Sequence, residues 1–244
     1  MSFETSAVAA AKKKPCAKTL SQCPLRGCTE EDTPEALCNV LKHGEPKGDL
    51  HALTFADFQN LQKQADDDFK TTGYAALSEP KRVRLQHLKL QGQTIGEGSF
   101  VEIEGYIAEQ PDKPKPSKPH ANTGESVNCN LAKAANNDFH INLTPTKGGS
   151  EYDGIVVEMV PQDRAESWTE ARLKAVQGAH LRVRARGHLF FDNHHKVNSD
   201  ESHPIKNQPK RISLWEVHPV TEFEVCTKTK CTSDADWTAL ERWD

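Results

Sequence analysis

Between residues 54 and 69, Phe55, Phe58, Leu61, Ala65 and Phe69 recur at three- and four-residue intervals, which lays one apolar stripe along a helix. Thr54, followed three residues later by Asp57, predicts the cap at its start. A helix apolar on one side needs a covering surface, supplied either by the rest of the chain or by a partner protein. From residue 98 the period falls to two. SFVEIEGYIAEQ sets Phe100, Glu102 and Glu104 against Val101, Ile103 and Gly105, and predicts a first strand. NDFHINLTP and DGIVVEMVP predict a second and a third, with Phe139, Ile141 and Leu143, then Ile155, Val157 and Met159, on their apolar sides. SWTEARLKAVQGAH predicts a helix with Trp168, Leu173 and Val176 on one face, Ser167 as its cap and Gly178 as its stop. HLRVRARGHLFFD predicts a fourth strand and ISLWEVHPVTEFEVC a fifth, bent at Pro219.

The intervals between these segments are loops. QPDKPKPSKPHANTGE carries four prolines, which exclude regular structure after the first strand. A second polar loop follows the fourth strand and runs to residue 211. Residues 1 to 50 show little periodicity, and residues 229 to 244 read as a short tail with helical character.

Three strands, one helix and two more strands, over about residues 98 to 228, is an order that resembles the five-stranded OB-fold barrel. The LWEVHPVTEFEVC block of the last strand is also similar to that of uncharacterised bacterial proteins of this barrel type, a likeness that implies no established activity. The expected fold class is therefore mainly β with helices. It comprises an extension over residues 1–79 with one amphipathic helix, an OB-fold-like barrel over 80–228 and a tail over 229–244. Another small mixed β-barrel is the alternative.

Composition narrows the function. In 244 residues the formal charge is −4, which argues against a wholesale nucleic-acid coat and confines anion binding to local patches. No run of about 18 apolar residues is present, so no membrane span and no membrane partner are expected. The lysines of MSFETSAVAAAKKKPC follow the short apolar stretch, the reverse of a secretory signal, and a cytoplasmic location is expected with export left open. The seven cysteines, Cys16, Cys23, Cys28, Cys38, Cys129, Cys226 and Cys231, leave three readings open: structural zinc, disulfides or free thiols.

Three groups of residues carry candidate chemistry. On the fourth strand Arg182, Arg184, Arg186 and His188 alternate with Leu181, Val183 and Ala185, so three guanidinium groups share one face and require anions. Glu102 and Glu104 of the neighbouring first strand are one source; phosphates of a bound ligand are the other. The two loops carry local positive surplus, from Lys113, Lys115 and Lys118, and from Lys196, Lys206, Lys210 and Arg211. The DNHH turn places His194 and His195 at the rim of the same face, as solvated loop residues or as ligand contacts. Together these suggest a non-enzymatic binding module for single-stranded nucleic acid or another polyanion.

The outward positions of the second, third and fifth strands form the third group: Asp138, His140, Glu158, Glu216 and His218. Such carboxylates and imidazoles suit a divalent ion or an acid and base pair, and so a metal-assisted phosphodiesterase or nuclease is the alternative reading. Its weakness is distance, because the second and fifth strands start about 10 Å apart with the third between them. No other cofactor is expected. A third reading is a structural protein that engages a partner through its cysteine-containing start and amphipathic helix.

Overall fold

The computed structural model describes residues 14–69, 77–109 and 124–243. In chain order these form α1 (Pro34–Leu41), β1 (Lys47–Leu53), α2 (Phe55–Phe69), α3 (Glu79–Arg82) and the two-residue strands β2 (Lys89–Leu90) and β3 (Gln93–Thr94). Then follow β4 (Ser99–Ile107), β5 (Phe139–Thr144), β6 (Ile155–Met159), α4 (Glu170–Gly178), β7 (Arg182–Phe191), β8 (Trp215–Cys226) and β9 (Trp237–Ala239).

Alternation in β4 to β8 sends one set of side chains inward, and burying that set curls the sheet until its ends meet. The order is β4-β5-β6-β8-β7, and pairing of β7 back onto β4 from Phe100↔His188 to Tyr106↔Arg182 closes the barrel. Within it β6 and β8 run parallel while the remaining neighbours are antiparallel. The protein is thus a mixed α/β chain built on a closed five-stranded barrel, with four helices among the described residues, consistent with an OB-like barrel. Val101, Ile103, Ile141, Val157, Val183, Ala185, Trp215 and Val217 fill the interior. Phe58, Leu61 and Ala65 of α2 belong to the same apolar cluster, so this helix is covered by its own chain.

Local chemistry sets the ends of these elements. The backbone N–H of Thr54 donates to Asp57 Oδ2 at 2.8 Å and that of Asp57 returns to Thr54 Oγ1 at 3.2 Å, a reciprocal cap on α2. In α4 the cap is Thr169, whose hydroxyl accepts from the Arg172 N–H, not the expected Ser167. Trp168 is held outside that helix by its indole N–H donating to Glu241. Pairing of β7 with β8 slips at Gly187, where a side-chain carbon would stand 2.1 Å from the Pro219 carbonyl oxygen, so only glycine fits the close approach.

Two stretches carry more order than their patterns predicted. Residues 1–50 contain α1, capped by Thr33 with Pro34 at its first turn, and the start of β1, which pairs in parallel with β4. The expected helical tail instead forms β9, antiparallel to β8, between three-residue 3-10 turns. Cysteine chemistry is resolved as disulfides Cys16–Cys28, Cys23–Cys129 and Cys226–Cys231, with Cys38 free and buried. No helix among the described residues is long and apolar enough to cross a membrane.

Candidate metal centre

Because Ile141, Val157 and Val217 face the barrel interior, their alternating neighbours His140, Glu158, Glu216 and His218 face out. The outer face is not left to solvent. Residues 14–46 lie across it together with the loop 124–131, joined by the Cys23–Cys129 disulfide, the Cys28 N–H donating to the Ser126 carbonyl, and the Asn39 amide donating to Ser126 Oγ. This cover sits close: a side-chain carbon on Gly44 would be 2.8 Å from His188 Cε1.

Beneath the cover the imidazoles converge on Glu158. His140 Nδ1 lies 2.9 Å from Glu158 Oε1, and His218 Nδ1 lies 3.0 Å from Glu158 Oε2. The gap inferred from strand spacing is bridged because Glu158 stands between them and offers one oxygen to each side. On its far side His140 Nε2 meets Glu125 Oε1 at 2.9 Å, a residue contributed by the cover. His218 Nε2 stands 3.6 Å from Asp138 Oδ2, while the Asn128 amide donates to Asp138 Oδ1 at 2.9 Å. Side-chain exposure is 0% for His218 and Asp138 and 2% for Glu158, against 22% for His140 and 14% for Glu125, so the Glu125–His140 edge is the accessible side.

A second layer holds these groups in place. Glu216 accepts from Arg211 Nη1 at 2.5 Å and faces His218 Nδ1 at 3.3 Å. Arg211 also donates to Asp192, which His195 Nδ1 contacts from the rim. Five carboxylates, from Glu125, Asp138, Glu158, Asp192 and Glu216, therefore surround two permanent cations, Lys42 and Arg211. The titration behaviour follows. Burial and the charge of Glu125 push the Asp138 carboxyl up to about 7. Burial disfavours the imidazolium of His140, yet Glu158 and Glu125 hold its pKa well above the ordinary value. Burial likewise opposes the Lys42 ammonium, and Glu158, Asp192 and Glu125 outweigh it. The cluster is a site that attracts positive charge.

One donor atom from each of Asp138, Glu158 and His218 lies within 4.8 Å of the other two. Ligands about 2.1 Å from an ion stand roughly 3–3.5 Å apart. Asp138 Oδ2 and His218 Nε2 are buried, make no hydrogen bond and face each other at 3.6 Å. Buried polar atoms without hydrogen bonds are costly in an ordinary core, and this facing pair beside Glu158 suits a cation. Oxygen and imidazole donors without sulfur suit manganese, iron, cobalt or zinc.

The remaining expected site residues are placed as follows. Arg182 pairs with Glu104 at 2.7 Å; Arg184 with Glu224 and Asp234; and Arg186 with Glu102 at 2.6 Å and Glu222 at 2.8 Å. Internal carboxylates occupy the donors that phosphate contact would have used. His188 is buried with Nδ1 against the His218 carbonyl, and burial lowers its pKa to about 4. Arg211 is buried between Asp192 and Glu216 and does not face a ligand, while Lys210 lies 3.3 Å from Glu151. His194 and Lys196 are exposed, and His195 is half-buried against Asp192. Lys113 and Lys115, with Lys118, lie outside the described residues. Periodicity gave no sign of Lys42 or Glu125, which fall in aperiodic stretches; Asp192 was visible only as a turn residue. No protein-family model, curated protein or solved structure matches the chain.

Proposed function

We propose that the protein is a metal-dependent hydrolase that holds a divalent transition-metal ion on Asp138, Glu158 and His218 and acts on a small phosphodiester. The observation that carries this reading is the pair of buried atoms without hydrogen bonds, Asp138 Oδ2 and His218 Nε2, within a triad completed by Glu158 whose donor atoms lie within 4.8 Å of one another. A bound ion supplies an activated water at neutral pH and polarises the phosphoryl oxygen. The chain supplies orientation: Glu216 fixes the His218 ring and Asn128 fixes Asp138, in the manner of outer-shell partners that aim metal ligands. Lys42 supplies a positive charge facing the cluster, suited to the non-bridging oxygens of a diester. The cover leaves access at the Glu125–His140 edge, which favours a small substrate over a polymer.

Chelator-treated protein reloaded with Mn²⁺ is expected to hydrolyse bis(p-nitrophenyl) phosphate, and His218→Gln to lose at least 100-fold of that rate, about 2.7 kcal/mol. Absence of any manganese-dependent rate in correctly folded protein would remove the hydrolytic assignment.

A second reading, polyanion binding by the barrel, draws on the OB-like strand order and on exposed Lys196 and Lys206 in the loop after β7. It predicts that binding of a labelled single strand weakens steeply from 50 to 200 mM salt. Salt-indifferent binding, or none, counts against it. The three disulfides support an oxidising compartment in preference to the cytoplasm expected from the sequence pattern.

A further inference from the structure

We infer that the centre is dinuclear: two divalent transition-metal ions bridged by Asp138, one held by Glu158 and His218 and the other by Glu125 and His140. This rests on the metal-binding reading above and extends it from one ion to a pair. Two donor triads are present. Asp138, Glu158 and His218 form one, and Glu125, Asp138 and His140 the other, each with its donor atoms within 4.8 Å of one another. Asp138 belongs to both. Each triad has the same make-up, two carboxylates and one imidazole, related across the shared aspartate.

The geometry suits bridging. Paired catalytic ions sit about 3.5–4 Å apart, a span that a single carboxylate covers with its two oxygens. Asp138 Oδ2 is buried with no hydrogen-bond partner, and Oδ1 accepts one bond, from Asn128, leaving a lone pair. Glu158 holds both rings, since its two oxygens contact the Nδ1 atoms of His140 and His218. On the outer side His140 Nε2 and Glu125 Oε1 are 2.9 Å apart, near the roughly 3–3.5 Å that separates two ligands of one ion. An ion entering there replaces the direct contact with two coordinate bonds.

Ligating imidazoles are neutral, so Glu125, Asp138 and Glu158 supply the negative charge, while Glu216 is already paired with Arg211. The donor inventory, three carboxylates and two imidazoles, is of the carboxylate-rich kind that di-iron and di-manganese centres assemble from helices. Here it is assembled on barrel strands and one loop of the cover.

The test is manganese stoichiometry on the full chain, stripped with chelator, reloaded with Mn²⁺ and desalted. Two ions per chain are expected, with the six-line electron paramagnetic resonance signal of isolated Mn²⁺ attenuated by coupling. His140→Gln, checked for folding by its melting curve, is expected to keep one ion and to restore the six-line signal. One ion per wild-type chain, or two retained by His140→Gln, overturns the dinuclear assignment and leaves the single-ion reading standing. No retained ion overturns both.

Discussion

Replacing Glu97 with alanine is expected to lower the unfolding free energy by about 3–5 kcal/mol, seen as a fall in Tm of roughly 6–20 °C. Arg82, 2% exposed, is held by both oxygens of Glu97 at 2.7 and 2.8 Å, by Asn193 Oδ1 and by the Phe191 carbonyl. Truncation leaves a buried guanidinium without its counter-charge, and also strips the Phe191 N–H of its acceptor at 3.1 Å. The intact pair gains little over an apolar one, since burial outweighs the attraction of Arg82 and raises the Glu97 carboxyl above its usual range. The double substitution Arg82→Met with Glu97→Leu is therefore expected to recover most of the loss. Thermal melts of the three variants decide the matter. A single-variant loss below about 1 kcal/mol would show that Asn193 and the Phe191 carbonyl suffice for Arg82.

Cys23→Ser with Cys129→Ser is expected to cost about 4–5 kcal/mol, because that disulfide closes a loop of 106 residues and constrains the unfolded chain accordingly. A second consequence is chemical. The same loop carries Glu125 and the Asn128 that orients Asp138, so manganese uptake is expected to weaken along with stability. Thiol titration of the wild type, unfolded without reductant, should find one reactive group, Cys38. In the folded state none should react, since burial pushes that thiol up to about 12. An unchanged melting temperature in the double variant would show that the cover is held without this link.

The barrel was legible because its strands alternate cleanly: Phe139, Ile141 and Leu143, or Val183 and Ala185, cannot be satisfied in any helical register. The same alternation exposed the chemical stripe, since whatever faces away from Ile141, Val157 and Val217 must be His140, Glu158 and His218. What stayed hidden was the cover. Lys42, Glu125 and the partnership of Cys23 with Cys129 depend on contacts between stretches without period, and pattern reading has no access to those. The arginine row shows a related limit. Spacing revealed that Arg182, Arg184 and Arg186 need anions but not that Glu222, Glu224 and Asp234 would help supply them. The signal at α1 was local and was available: Thr33, Pro34 and Glu35 are a capping threonine, a first-turn proline and a first-turn acid.

Two strands of the sheet lie outside the closed ring, β9 on β8 and β1 on β4. β1 ends the sheet, and its outer rim offers backbone groups to which a stray chain would ordinarily add itself. Lys47 and Asp49 are exposed along it, Gly48 has a φ of +80°, and the pairing with β4 slips between Lys47 and His51. A charged, kinked margin of this kind is a poor template, so the protein should withstand crowding and concentration without templated self-association.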